Sequence, residues 1–120
     1  MLGNESGSLV LSGNNAILDL CVDNNKFVYV ANGSGQDIIK LNSMFDVIWT
    51  FTGHTGTVNG VAVDQNGYVY SGSQDNTVRK IDPDGNQVWS FTGHGGAVYS
   101  VAVDSMVSYI VLVEIIPLEK

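Results

Sequence analysis

Two histidines and several carboxylates are the residues of this chain whose types suit chemistry. His54 follows a glycine, and Asp75 lies further along the chain. A histidine and a carboxylate can work as a general base, but that use also requires a third group and a nucleophile in a cleft. The sequence shows no such set, so we predict no catalytic residue and interpret this pair as structural. His94 follows a second glycine, Gly93, and receives the same interpretation.

The segment Asp82-Pro83-Asp84-Gly85-Asn86 alternates oxygen-bearing side chains in the way the start of a calcium loop does. An EF-hand loop also needs a bidentate glutamate at its twelfth position, which here is Gly93. A turn between two strands is therefore the better interpretation. The single cysteine, Cys21, excludes an internal disulfide and a cysteine-based zinc cluster, and its apolar surroundings favour a packing role. We predict neither a metal nor a cofactor.

Composition narrows the classes of partner. The 120 residues include 12 Asp or Glu against five Lys or Arg, a formal charge of −7. Nucleic acids and anionic membranes bind clustered cationic side chains, so we expect neither as partner. The start of the chain lacks a basic region before an apolar run, and the longest apolar stretch, Val107 to Ile116, is about half of a membrane-spanning length. We therefore expect a cytoplasmic protein without a transmembrane segment.

An internal repeat determines the predicted fold. Ile48 to His54 (IWTFTGH) recurs as Val88 to His94 (VWSFTGH), and Val58 to Asp64 (VNGVAVD) recurs at the same offset as Val98 to Asp104 (VYSVAVD). A period of about 40 residues is typical of repeat architectures such as propellers. Short β-branched segments alternate with turn signals, of which Asn66-Gly67 is the strongest. Four strands with tight turns make one antiparallel sheet, which has to stack on a copy of itself to bury both faces.

The predicted architecture is all-β, a partial β-propeller of about two to three four-stranded antiparallel blades. Residues 1–16 are interpreted as a lead-in, 17–57 as a first blade and 58–97 as a second; residues 98–120 supply the first strand of a third blade and an aberrant tail. The strands predicted in the second repeat are Val58 to Val63, Tyr68 to Ser71, Thr77 to Ile81 and Gln87 to Phe91.

Three segments carry a family resemblance. Gly53-His54, Val61 to Asp64 and Tyr70 to Asp82 together resemble the WD40 repeat, with its Gly-His start, aspartate turn and closing Trp-Asp pair. Ile81 stands where that family usually has tryptophan. The resemblance extends over Ile17 to Asp104.

The tryptophans of this chain, Trp49 and Trp89, lie instead in the last strand of each repeat. This placement, with an Asp-Pro-Asp-Gly-Asn segment ahead of Trp89, is also similar to the repeats of quinoprotein-like (PQQ-type) propellers. We predict that both tryptophans pack between blades, and carbohydrate stacking is the alternative.

The WD40 resemblance implies a role for the histidine and the aspartate. In that family the matching pair forms a hydrogen-bonded network with a strand hydroxyl, which here is Ser71 or Ser73. The network fixes a turn to a strand. The predicted structural residues are His54, Asp75, Ser71, Ser73, His94, Trp49 and Trp89.

The resemblance implies a non-enzymatic interaction or scaffold module with a protein or peptide partner. One alternative is a fragment of a quinoprotein-like dehydrogenase holding pyrroloquinoline quinone with calcium, although the sequence shows no cationic cluster for the carboxylates of that cofactor. A second alternative is a glycan-binding propeller of a phage or cell surface. Because two blades leave edges and apolar faces open, self-association to cover them is a further expectation.

The repeat stops abruptly at Ser105. Regrouping the bases of the possible codons for Glu114 to Lys120 permits the sequence Arg, Asp, Asn, Thr, Val, Arg, Lys, of which the last six residues match the segment Asp75 to Lys80 at the offset of the repeat. We therefore hypothesise that a frameshift near Ser105 truncated a longer array of blades; a divergent closing strand is the alternative. We expect the tail to form one irregular strand beside Val98 to Val103, without the second and third strands of a blade.

Overall fold

A computed structural model describes residues 17–33, 35–92 and 95–103, together with the backbone of 110–114. The described residues contain ten strands and no helix, and hence no helix that could cross a membrane. The strands are β1 (Ile17–Val22), β2 (Val28–Asn32), β3 (Asp37–Leu41), β4 (Val47–Phe51), β5 (Val58–Val63), β6 (Val69–Ser73), β7 (Val78–Ile81), β8 (Gln87–Phe91), β9 (Val98–Val103) and β10 (Ile110–Glu114).

The strands form two four-stranded sheets and one pair. The sheet orders are β1-β2-β3-β4 and β5-β6-β7-β8, and β9 pairs with β10. Every pairing is antiparallel between consecutive strands. The predicted all-β fold with four-stranded antiparallel blades is confirmed.

The same irregularity recurs in the first ladder of each unit. The register shifts between Ile17 and Asp19 in the first sheet and between Val58 and Gly60 in the second. In the third unit, Val98 and Ser100 face consecutive residues of β10, so one residue of β9 is again skipped. A bulge bends a strand and increases its twist. Its recurrence shows that the distortion belongs to the repeat itself.

Four of the hairpin turns begin with an Asp or Asn whose side chain organises the turn. In each, one side-chain oxygen accepts hydrogen bonds from the backbone N–H groups two and four residues ahead, so the turn is closed by local contacts alone. These residues are Asp23, Asn42, Asp64 and Asp82. The last of them opens the segment Asp82 to Asn86, which connects β7 and β8 as a turn, as interpreted from the sequence.

Two predicted strand starts are wrong for a local reason. The second strand of the repeat was expected over Tyr68 to Ser71, but β6 spans Val69–Ser73. The backbone N–H and C=O of Tyr68 are both engaged by Asp64 in the turn, which delays the start of the strand. Thr77 is likewise held by Asp75, so the third strand begins at Val78.

The two sheets bury one face against each other. Tyr29, Ala31 and Ile38 of the first sheet share a core with Val58, Val61, Val69 and Ile81 of the second. Ile81 is fully buried in this layer, at the position where the WD40 resemblance would place tryptophan. On its other face the second sheet packs Tyr70 and Val78 against Val98 and Val101 of β9. The stack therefore continues beyond the second sheet.

The tail strand β10 pairs with β9, so the expected strand beside Val98 to Val103 is confirmed. Ile110 lies opposite Val103, whereas Val69 lies opposite Val63 in the second sheet. The 40-residue offset would place residue 109 opposite Val103, so the tail is shifted by one position relative to the repeat. The tail thus supplies one strand that does not have the register of a second blade strand, because any extended β-branched segment can pair with the open edge of β9.

Two turn glycines permit a matched test of the packing between the sheets. Gly67 and Gly85 have φ of +89° and +94°, so alanine strains the backbone at either position. A Cβ at Gly85 would also lie 2.9 Å from Cγ of Trp49, whereas at Gly67 the nearest atom is Cγ of Pro83 at 3.4 Å. We expect Gly67→Ala to lower the free energy of unfolding by about 1 kcal/mol and Gly85→Ala by about 2–4 kcal/mol. Urea titrations measure both, and equal losses would contradict the packing against Trp49.

Candidate functional site

The polar network of the second sheet centres on His54, which lies in the loop before β5. Nδ1 of His54 is 2.8 Å from Oδ2 of Asp75 in the β6–β7 turn. Nε2 is 2.7 Å from Oγ of Ser71 in the middle of β6. The histidine side chain is fully buried. One imidazole thus joins a loop, a strand and a turn.

The protonation of this network follows from its hydrogen bonds. Burial alone would raise the pKa of Asp75, but hydrogen bonds from Thr77, His54 and the backbone of Thr55 outweigh it and lower that pKa to about 2. The carboxylate is therefore charged, and the Nδ1–H of His54 donates to it. Nε2 then accepts the hydroxyl proton of Ser71.

Burial also lowers the pKa of His54. The carboxylate of Asp75 opposes this shift, and the guanidinium of Arg79 adds to it. We conclude that the imidazole is neutral at pH 7, because neutral histidine already satisfies both of its neighbours and a charged imidazole would be desolvated.

Serine, histidine and aspartate stand here in the order that serine hydrolases use, with Ser71 bonded to His54 and His54 bonded to Asp75. A nucleophile must also reach a substrate carbonyl. Ser71 is 0% exposed and pairs with Val61 on one side and Arg79 on the other. A substrate could approach this hydroxyl only if the sheet opened, so the geometry holds the loop to the sheet without presenting a reactive group.

Ser73 serves a different contact from Ser71. Its hydroxyl donates to the carbonyl of Gly56 at 3.1 Å and accepts from the backbone N–H of Asp75 at 3.0 Å. Of the two hydroxyls that the resemblance left open, Ser71 is the one that meets His54, and Ser73 fastens the turn to the loop.

Sequence reasoning missed two members of the network. The hydroxyl of Thr77 bonds Oδ1 of Asp75 and lies 3.3 Å from Nδ1 of His54. Nε of Arg79 donates to that hydroxyl at 3.1 Å, and its Nη2 is 3.7 Å from Asp75. Thr77 and Arg79 are two residues apart, so side chains of that extended segment point to one face. This alternation was the available signal.

The first sheet has no equivalent network among its described residues. Val30 takes the position in the first sheet that Ser71 takes in the second. Gly35 takes the position of Asp75, because each residue directly precedes a turn residue with positive φ. Asn32 and Asp37 each keep one buried side-chain oxygen without a hydrogen-bond partner in the described part of the chain. His94, predicted as the next copy of His54, lies outside the described residues.

A second polar contact joins the two sheets at their opposite end. The carbonyl of Pro83, in the β7–β8 turn, accepts from Nε1 of Trp49 at 2.9 Å and from Nζ of Lys40 at 3.2 Å. The ammonium group also lies 4.4 Å from the centre of the Phe27 ring. Lys40 is only 7% exposed, so a backbone carbonyl and an aromatic face replace the water around its charge.

A polar cleft of about 140 Å³ lies beside this contact. Its walls come from the β1–β2 turn, the β5–β6 turn and Pro83, and include Asp23, Lys40 and Asn66. Its lining includes exposed amide side chains and the half-buried carboxylate of Asp23, which can bond polar groups of a ligand but do not form a deep pocket.

The Tyr29 hydroxyl and the Cys21 thiol are held in protonated form. Burial, followed by hydrogen bonding to Asp23, raises the pKa of Tyr29, whose hydroxyl donates to that carboxylate at 2.7 Å. Burial and the charges of Asp19 and Asp23 raise the pKa of Cys21 to about 12, so its thiol is a poor nucleophile. Nowhere in the described part do three His, Cys, Asp or Glu side chains converge as a metal site would require.

Removing the imidazole tests the network directly. We expect His54→Ala to lower the free energy of unfolding by about 1–3 kcal/mol, because it leaves Ser71 and Asp75 without a buried partner. His94→Ala is the matched control, since the position one repeat after Asp75 is Ile115 and offers no carboxylate. Thermal melts should show a clearly smaller loss for the control. A neutral His54→Ala would remove the structural role predicted for this residue.

The lowered pKa of His54 also predicts a pH dependence. In the unfolded chain its ordinary pKa is 6.5, so between that value and its lower folded pKa the unfolded state binds more protons. Stability should therefore fall as the pH drops below 6.5, by up to about 1.4 kcal/mol per pH unit for one proton. Unfolding titrations at pH 7 and pH 5.5 should show a larger difference in wild type and His94→Gln than in His54→Gln. An unchanged difference in His54→Gln would contradict the assignment.

Three comparisons place these observations among known proteins. Residues 45–82 match the model described as "WD domain, G-beta repeat". Among curated proteins none matches the chain. The fold is similar to two solved structures, "Structure of U3-55K" and "Crystal structure of RRP9 WD40 repeats", each with a TM-score of 0.67 and 23% identity. Each match covers 72% of this chain and 27% of the other, so this chain spans about a quarter of the length of either. Residues 45–82 thus match a WD40 repeat, and the sheets have the fold of WD40 propeller blades.

Proposed function

We propose that this chain is a non-enzymatic interaction module built from WD40-type blades, in which polar chemistry serves the scaffold and the exposed turns bind a polypeptide partner. The observation that carries the proposal is the complete burial of Ser71 in the one Ser-His-Asp arrangement found among the described residues. A catalytic serine has to face a cleft, whereas a scaffold gains from a satisfied buried network.

The turns around the polar cleft are the surface best suited to a partner. Asn24, Asn25, Gln65 and Asn66 are exposed there, and the carboxylates of Asp23 and Asp64 fix the backbone beneath them. A surface organised in advance loses little conformational entropy on binding. The net charge of −7 favours a neutral or basic polypeptide as the partner.

Three of the five cationic side chains argue against the quinoprotein alternative. Lys40 lies under Pro83 and Phe27, and Arg79 bonds Thr77 and Gln87. Lys80 lies 4.7 Å from the centre of the Tyr68 ring. Each of the three is thus engaged by aromatic or hydrogen-bonding neighbours, and together they form no cluster that would receive the carboxylates of such a cofactor.

We further propose that these sheets function within a larger ring, completed by more blades or by self-association. Closed propellers have about 4–8 blades. Two four-stranded sheets and a strand pair leave the face of β8 and the edge of β10 open among the described residues. Covering these surfaces would remove exposed apolar side chains from water.

The interaction role is tested by site-specific photo-crosslinking. We expect benzoylphenylalanine at Asn66 to form adducts with a polypeptide from an extract of the source organism, and the same group at Asn76 to form few. Both residues are exposed, but Asn76 lies in the β6–β7 turn at the other end of the sheet. An excess of unmodified chain should compete with the adducts.

A serine-reactive fluorophosphonate provides the opposing test. We expect it to label wild type no more than Ser71→Ala, because the hydroxyl is inaccessible. Stoichiometric labelling at Ser71, or equal adducts from Asn66 and Asn76, would overturn the proposed function.

A further inference from the structure

A lysine and a tryptophan of the first sheet, which we call the clamp, hold a turn of the second sheet, and this pair occurs twice in the chain. In the first copy, Lys40 and Trp49 bind the Pro83 carbonyl. The residues one repeat later are Lys80 and Trp89, on the corresponding strands β7 and β8 of the second sheet. The aromatic partners are duplicated as well, because Tyr68 and Tyr70 take the places of Phe27 and Tyr29.

The two copies have nearly the same geometry. The lysine Nζ lies 4.4 Å from the first aromatic ring centre in the occupied copy and 4.7 Å in the second. The distance to the second ring is 5.6 Å in both. The tryptophan and tyrosine rings are 6.3 Å apart at 51° in the first copy and 6.2 Å apart at 53° in the second. The second clamp is therefore set in its binding arrangement without a turn in place.

The second clamp differs from the first in what covers it. Trp89 is 36% exposed, and Lys80 is only partly buried. Among the described residues neither Nζ of Lys80 nor Nε1 of Trp89 has a hydrogen-bond acceptor, whereas their counterparts share the carbonyl of Pro83. Two aligned donors beside an exposed indole ring make a site for one carbonyl oxygen.

The turn in the first clamp shows which ligand the second would take. Pro83 has no N–H, and its carbonyl points to the clamp. Gly85 lies flat against the indole of Trp49, since a Cβ there would come within 2.9 Å of the ring. Asp82 closes the turn through its side chain, and with Asp84 it makes the turn acidic. The required features are a proline carbonyl, a glycine two residues later and acidic flanks that suit Lys80.

We propose that Lys80, Trp89, Tyr68 and Tyr70 form a docking site for an acidic β-turn of the Asp-Pro-Asp-Gly type on another polypeptide. Lys80 and Trp89 donate to the proline carbonyl, and the glycine of the turn packs on the indole. The inference rests on the proposed interaction role, but it concerns the face of the second sheet rather than the turns around the cleft. Its failure is thus separable from failure of crosslinking at Asn66.

A cyclised hairpin peptide with the sequence of residues 81–87 (IDPDGNQ) tests the site on the full chain. We expect its labelled form to bind saturably, with a Kd on the order of 0.1–5 mM for such a small contact. Trp89→Phe removes the N–H and keeps a ring, and Lys80→Met removes the charge and keeps the stem. Each should weaken binding about tenfold, the usual loss for one well-placed polar contact. The peptide with alanine at the position of Gly85 should bind the wild-type chain at least as weakly as the original peptide binds either variant.

Indole N–H signals in ¹⁵N spectra locate the bound peptide. On titration the signal of Trp89 should move towards that of Trp49, which already donates to a carbonyl and serves as the internal reference. Absence of saturable binding up to about 10 mM, which corresponds to a negligible affinity, would overturn the proposal. So would binding that neither substitution weakens. A Trp89 signal that moves with protein concentration alone would overturn it in favour of a second copy of the chain.

Discussion

The need of each sheet to bury both faces is the constraint on which this structure depends. A four-stranded sheet of apolar residues is stable in water only if a second layer covers it. Tyr29 and Ile38 of the first sheet meet Val61 and Ile81 of the second in one core, and β9 covers part of the next face. The bulge in the first ladder and the side-chain-closed turns recur in both four-stranded sheets, so the two layers share the same local distortions.

The polar groups of the His54 network are tolerated within this stack because each one is hydrogen-bonded. His54, Ser71 and Asp75 are taken out of water together, and the carboxylate collects enough donors for its pKa to fall in spite of burial. The same side chains in an open cleft would be candidates for catalysis. What separates the two uses is access, because hydrogen-bond geometry alone is compatible with both. At the other end Lys40 follows the same logic, with the Pro83 carbonyl and an aromatic face in place of solvent.

The sequence predicted the layers well and the individual contacts less well. Periodicity located the strands because the internal repeat aligns apolar positions that a single segment would leave ambiguous. Boundaries failed where a side chain captures the backbone, as Asp64 does at Tyr68. Thr77 and Arg79 were missed because their roles depend on which face of the strand meets the loop of His54. The link from Trp49 to Pro83 joins residues far apart in the chain, and no local pattern indicates such a contact. The repeat also could not predict the register of the tail, because β10 pairs with β9 one position away from the register that the 40-residue offset gives.

A repeat that stacks in one direction has two different faces, and the side chains that make a contact on one sheet recur at the corresponding positions of the next. A lysine and a tryptophan of the first sheet bind a turn of the second sheet. The second sheet carries the same pair again. Evolution of such an array by duplication copies the presenting side chains along with the core. The turn that binds the first pair therefore shows the chemistry of the ligand that we propose for the second pair, which is a backbone carbonyl beside a glycine and acidic side chains.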